Sequence, residues 1–348
     1  MDDRDGIPRA QGGIARAAGG RSRWARRGAI GLAVLAGLIV VADLAVSIAA
    51  AHKLTIPMRR PIRPGDRPAV YGAAYEPVRF PARGDGVAIA GWFLPAVRGR
   101  GAPARAVVLV PGKDDHRASG FDSDRLGRSR TSRFTEFAVT LTRRGYDVLM
   151  IDLRGHGQSG PARYAFGRDE RRDVLGAVDW LRGRTGAAPG AVGVLGISMG
   201  AAASIGAAGA DPAIGAVVAD SGFAEVASLA DRHWKAASGL PQAVLPTTKL
   251  AARLLFGVDI DGARPVDEVR SLRTPLLLIH DHGDPFTPVE HSRRMAAAAG
   301  PNAELWDVPC AGHAEAYVVA PQMYVDRVAG FFDRHLRQVA PGGIEKLR

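Results

Sequence analysis

Cysteine is almost absent from this chain: Cys310 is the only one among 348 residues. A single thiol excludes any intrachain disulfide, and this one follows an apolar run and reads as a small buried residue. Aromatic residues are also scarce, at 6 %. No concentrated basic stripe is present despite a net charge of +11. Residues 1–67 carry 12 Lys/Arg and 5 Asp/Glu, which leaves 34 and 30 for all the rest. The excess therefore sits at the N-terminus, and nothing beyond it is built to track phosphates, which excludes a nucleic-acid partner. Internal repeats are lacking. Asp114, Asp115 and His116, with Asp122 and Asp124, match no recognised metal-ligand spacing and read as a solvated polar loop. Gly155-His156-Gly157 lacks the third glycine and the opening helix of a dinucleotide fingerprint. No metal and no cofactor is expected.

What is present begins with one long apolar run. After a basic tail over 1–28, residues 29–51 are interrupted by a single charge, Asp43. Twenty-three residues suffice to cross a hydrocarbon core of about 30 Å. Asp43 costs about 3 kcal/mol, while each Leu, Ile or Val contributes about −0.3 to −0.6 kcal/mol. The run holds eleven of those residues, so insertion is favoured. An uncleaved single-span anchor is the preferred reading, with a cleaved signal ending at Ala49-Ala50-Ala51 as the alternative. Basic residues flank both ends, so orientation is not fixed by charge; an extracytoplasmic body is favoured, secreted if the signal is cleaved. A Pro-rich stretch over 52–74 reads as a semi-rigid spacer.

From residue 75 the pattern changes. Runs at 76–80 and 87–94 flank Arg83-Gly84-Asp85-Gly86, a hairpin signal. Strand-like runs at 106–110, 147–151, 192–197, 214–219, 275–280 and 303–308 then alternate with helical ones at 132–144, 169–182, 289–298 and 321–336. Such alternation predicts an α/β fold, a mostly parallel central sheet with helices on both faces and an antiparallel hairpin at one edge. The domain is expected over 75–340, with a short tail over 341–348. Residues 222–266 interrupt the alternation with mixed apolar and polar residues and are expected to form a small lid.

Sites in such sheets lie at the carboxyl ends of strands. Strand 192–197 breaks into Gly196-Ile197-Ser198-Met199-Gly200, a G-x-S-x-G in the strand–turn–helix setting of a nucleophile elbow. A serine hydroxyl needs a general base, and the base needs an orienting acid, in the chain order Ser, acid, His. Asp284 and His313 follow the next suitable strand ends in that order. Asp220, after strand 214–219, is an alternative acid. His156, His280 and His282 are read as structural.

The motifs Asp152-Leu153-Arg154-Gly155-His156-Gly157-Gln158-Ser159-Gly160, Gly196–Gly200, the Asp284 loop and Gly312-His313 together resemble the α/β-hydrolases of the serine esterase, lysophospholipase and dipeptidyl-peptidase type. The resemblance covers residues 75–338 and implies Ser198 as nucleophile, Asp284 as acid and His313 as base. It implies an oxyanion hole from the backbone N–H groups of Met199 and Lys113. Two positions depart from it: Pro111 stands where the family usually has His, and Asp281 follows His280 where Gly is usual. Serine-hydrolase chemistry through an acyl-enzyme is implied. The apolar 222–266 segment and membrane proximity favour a carboxylic ester, carboxylesterase- or lipase-like, with a small acyl ester as substrate, and the N-terminal helix makes the membrane a partner. A peptidase or acyl-thioesterase on the same triad, or a non-catalytic binding module, remain the alternatives. A peptidase of the oligopeptidase type would need a further large domain, for which 52–75 has no room.

Overall fold

The computed structural model describes residues 18–99, 104–121, 131–309 and 312–337. The expected Cys310, Asp122 and Asp124 assignments lie outside them. Eight strands form one sheet in the order β1-β2-β4-β3-β5-β6-β7-β8. β1 (Glu76–Pro81) and β2 (Ala88–Leu94) are antiparallel, and β2 runs antiparallel to β4 (Asp147–Ile151). From β4 the sheet is parallel through β3 (Ala106–Val110), β5 (Val192–Ile197), β6 (Ile214–Asp220), β7 (Leu276–Asp281) and β8 (Ala303–Val308).

The continuous apolar runs of β3, β4 and β5 are explained by burial on both faces. Alternate side chains divide between two cores, as a period of two requires. Val108 and Val110 enter one core, Val107 and Leu109 the other. The first is covered by α3 (Arg171–Thr185) and α4 (Met199–Ala210). The second is covered by α2 (Arg133–Arg143) and α10 (Pro321–His335), where Phe121 stacks on Tyr317 and both meet Phe137 or Tyr324 edge to face. Ser132 caps α2 by accepting the Thr135 N–H at 2.8 Å.

The N-terminal apolar run extends further than its composition suggests. α1 spans Ala18–Thr55, 38 residues, roughly 57 Å at 1.5 Å per residue. Its stretch from Arg23 is long and apolar enough to cross a membrane, and its most apolar window is wholly exposed. Its last turns are different. Ser47, Ala51 and Thr55 are fully buried at four-residue intervals, one stripe of the helix, against α6 (Leu245–Phe256). The Thr55 carbonyl accepts the Tyr164 N–H, and its hydroxyl accepts from Arg163 at 2.6 Å. The helix therefore ends inside the body.

Of residues 52–74, expected as a spacer, 52–55 complete α1 and 56–74 lie along the body. Met58 N–H donates to Asp114, Arg59 to the Ser159 carbonyl, and Thr135 to the Asp66 carbonyl. Proline limits the conformational freedom to be lost when such a segment docks. Residues 222–266 form a helical cap made of α5 (Val226–Ser238) and α6. An Arg294–Glu225 ion pair at 2.6 Å and the Ala224 N–H donated to His291 tie its base to α8 (Glu290–Ala299).

Candidate active site

Ser198 stands between β5 and α4 with φ 53° and ψ −114°. Positive φ is strained for a residue with a Cβ, so the surroundings must hold it there. Three close approaches do. The Ser198 N–H donates to the Asp220 carbonyl of β6 at 2.8 Å. A Cβ on Gly196 would lie 2.2 Å from the Gly200 carbonyl oxygen, and one on Gly200 would lie 2.4 Å from that of Pro111. Both flanking glycines are thus required by contact between strand and helix, not by turn geometry alone.

The loop after β3 lies against the serine: a Cβ on Gly112 would meet Ser198 Cβ at 3.4 Å. Lys113 follows on that loop, with its ammonium paired to Asp114 and 5.0 Å above the Tyr164 ring. Met199 opens α4, where the backbone N–H has no intrahelical acceptor. Proline at 111 costs the loop only its own N–H, and Lys113 retains its donor.

Asp284 and His313 come together. His313 Nδ1 donates to Asp284 Oδ2 at 2.7 Å, while Oδ1 accepts the N–H groups of Phe286 and Thr287, each at 2.8 Å. Every carboxylate oxygen is therefore engaged and the side chain is fully buried. The Phe286 ring packs edge-on to His313 with centroids 5.4 Å apart and stacks on His233 of the cap at 4.7 Å.

Asp220, the alternative acid, is engaged elsewhere: its oxygens accept from Tyr324 at 2.8 Å and Ser221 at 2.9 Å. Ser221 also accepts the Ala314 N–H at 3.0 Å, and Asp281 accepts the Glu315 N–H at 2.9 Å. Two strand ends thus hold the two residues that follow His313. The other histidines named from the sequence have partners elsewhere, and His156 has one only at Nδ1 among the described residues. His280 donates to the Thr287 carbonyl and pairs with Ser292, His156 donates to the Arg154 carbonyl, and His282 faces Asp307 at the surface. Asp115 accepts from Ser119, and His116 accepts the Ala118 N–H.

Burial raises the pKa of Asp281, and the nearby Asp220 charge raises it further; Asp220 is raised by burial as well. Asp281 Oδ1 has no hydrogen-bond partner among the described residues. Folded-state pKa values above the unfolded value mean that the fold binds the extra proton. Stability is then lost as pH climbs from the ordinary carboxylate range toward the alkaline. Asp281→Asn keeps an acceptor for Glu315 and removes the charge. Its melting temperature, followed by calorimetry from pH 5 to 9, is expected to fall less than that of the wild type. An identical decline would place the responsible charge elsewhere.

A cavity of about 210 Å³ opens at Ser198. Its wall is apolar, with Phe223, Val226, Leu229 and Trp234 from the cap region, and Leu54 of α1 closes one side. Leu54 and the Phe286–His233 stack were not legible in the sequence. The only trace of the first is the spacing of Ser47, Ala51 and Thr55 on one helical face.

Antiparallel hairpin, parallel strands, and a serine at a strained strand-to-helix turn define the class: this is an α/β-hydrolase fold. Within it, residues 98–339 match the family of X-Pro dipeptidyl-peptidases (S15 family), and the chain belongs to that family. It is 28 % identical over 249 residues to the uncharacterized protein Rv2307c of Mycobacterium tuberculosis, spanning 71 % of this chain and 75 % of that one. Among solved structures it is similar to the esterase Pf2001 of Pyrococcus furiosus, with TM-score 0.62 and 24 % identity over 81 % of this chain and 99 % of the other. It is also similar to the acylaminoacyl peptidase of Pyrococcus horikoshii, with TM-score 0.56 and 17 % identity over 78 % and 43 %. At these identities the structural likeness establishes the fold alone.

Proposed function

We propose that this protein is a membrane-anchored serine hydrolase of carboxylic esters. Ser198 Oγ attacks the ester carbonyl as its proton passes to His313 Nε2. Asp284, at Nδ1, fixes the tautomer and steadies the imidazolium. The backbone N–H groups of Met199 and Lys113 receive the oxyanion, each worth about 3 kcal/mol in the transition state. The alcohol leaves with the proton from His313. Water, deprotonated by the same nitrogen, then releases the acid and restores the serine.

The apolar wall of the Ser198 cavity carries the choice of an ester. A peptidase that takes a free N-terminus must hold an ammonium group, and a buried ammonium needs a carboxylate beside it. No Asp or Glu is among the described residues lining this cavity, and the Asp114 carboxylate of the adjoining cleft is already paired with the Lys113 ammonium. Family membership favours the peptidase as the second reading. The anchor reading is supported by Ser47 and Ala51, which are buried in the body: cleavage after Ala51 would remove both.

A fluorophosphonate probe is expected to label the wild type at Ser198 and to leave Ser198→Ala unlabelled. Hydrolysis of p-nitrophenyl butyrate is expected to exceed that of Gly-Pro-p-nitroanilide and of butyryl-thioester. Undiminished labelling of Ser198→Ala would sink the catalytic assignment, and a preference for the anilide would establish the peptidase. N-terminal sequencing of the membrane-bound protein is expected to find residues preceding Ala51.

A further inference from the structure

A second cleft, of about 760 Å³, adjoins the cavity at Ser198. Val46, Ala49, Lys53 and Leu54 of α1 form one wall, and Ala237 and Leu240 at the end of α5 form the other. Leu54, Lys113 and Ala237 line both spaces, so the two are continuous. Positions 46, 49–50 and 53–54 recur at helical spacing and present one face of α1 to the cleft. The far end of that face is Val46, where the exposed apolar stretch containing Val40, Val41 and Leu44 begins its run toward the N-terminus. A path lined mainly by apolar side chains therefore leads along α1 from the part long enough to cross a membrane to the reacting oxygen.

From this continuity we infer that the substrate reaches Ser198 directly out of the bilayer, along α1, and that it is an ester of a long-chain monocarboxylic acid held in the membrane leaflet. The ester group sits at Ser198 and the acyl tail trails back through the cleft toward Val46. The inference rests on the serine-hydrolase and uncleaved-anchor readings above. Three observations select this occupant. The cavity at Ser198 is smaller than the roughly 300 Å³ of common ligand pockets, so a long chain must continue elsewhere. Two clefts share lining residues with it. The one across Leu245 and Ile260 is lined by Asp231, Lys249, Arg253, Asp259 and Asp261, which suit no acyl chain, and the one along α1 is mainly apolar. A long acyl chain resides in lipid because each CH2 kept from water is worth about 0.8 kcal/mol, and a chain that passes from lipid into such a cleft keeps that surface out of water throughout.

The test uses the full chain reconstituted in phosphatidylcholine vesicles. It compares 4-methylumbelliferyl oleate dissolved in the bilayer with 4-methylumbelliferyl acetate in the aqueous phase. Ala49→Trp narrows the cleft from an exposed helix position, and Leu240→Trp does so from the opposite wall. Each is expected to lower the oleate-to-acetate ratio of kcat/KM at least tenfold, with fluorophosphonate labelling reporting that the site is folded. Val97→Trp, on the exposed loop after β2, is expected to keep the wild-type ratio. Unchanged ratios in both folded cleft variants, or an equal fall in Val97→Trp, would overturn the route. A wild type that hydrolyses the acetate but not the oleate overturns the route and leaves the esterase reading standing. One that hydrolyses neither and resists the probe overturns both.

Discussion

Asp284→Asn is expected to lower kcat on p-nitrophenyl acetate by about four orders of magnitude, and Ser198→Ala by about six. The two losses differ for a reason visible in the hydrogen bonds. An asparagine at 284 would keep its carbonyl oxygen on the Phe286 and Thr287 N–H groups, since those two donors fix the orientation. Its amide nitrogen would then occupy the place of Oδ2, 2.7 Å from His313 Nδ1. Two N–H groups cannot face each other at that distance. The imidazole therefore shifts to the tautomer protonated on Nε2, and the base becomes a donor toward the serine. The geometry survives and the chemistry stops. Ser198→Ala instead removes the attacking atom, and what remains is the contribution of the oxyanion donors and of binding. Steady-state kinetics on both variants, at pH 7 and pH 9, distinguish these cases. Asp284→Asn is expected to regain part of its rate at the higher pH, where hydroxide substitutes for the lost base, and a loss of less than tenfold at pH 7 would remove Asp284 from the acid role. Asp220→Asn is expected to act mainly through stability, because its oxygens serve Tyr324 and Ser221 and not His313.

Much of the candidate site's placement is legible in the chain order because its logic is serial. A parallel sheet puts successive strand ends on one edge, so chain order alone brings the loops after β5, β7 and β8 together. The strands were legible for the same reason: Val107 to Val110 has no polar break, and burial on both faces leaves no room for one. What remained hidden depends on contacts distant in sequence. A run such as 29–51 reports its length and apolarity and says nothing about whether its last turns dock. Only the structure shows Ala51 in the core beside helix α6. Residues 52–74 read as a spacer yet dock, because proline content reports stiffness and not whether partners such as Asp114 and Thr135 lie alongside. The cap was visible as an interruption at 222–266, but its helices were not, since Pro241, Pro246 and Gly239 disrupt the periodicity between them. Arg117 gave no signal at all. One arginine in a polar loop looks like surface until Asp152 is placed beside it.

Arg117 is nevertheless among the largest fully buried side chains, and its loss is expected to cost about 3–5 kcal/mol of stability. Its Nε and Nη2 donate to the two oxygens of Asp152 at 3.1 and 2.5 Å, Nη2 also reaches Gln158, and the guanidinium lies over Trp92 at 5.3 Å. Asp152 has no other cation in contact among the described residues, and no space to admit one: a Cβ on Gly157 would lie 2.2 Å from its carboxylate. Arg117→Met keeps most of the volume and strands that charge in the interior. Since a domain of this kind has about 5–15 kcal/mol in total, the single change removes a large share of it. Arg117→Met combined with Asp152→Asn is expected to be more stable than Arg117→Met alone, because the unpaired charge is the main cost and not the lost bond. Urea unfolding of the three variants measures the difference. The ion pair also ties the loop after β3 to the loop after β4, and the first of these carries the Lys113 N–H. If that amide is an oxyanion donor, the folded fraction of Arg117→Met loses up to about 10²–10³ in kcat while KM changes little. A folded variant with full kcat would show that the loop holds its shape without Arg117, and would confine the residue to stability.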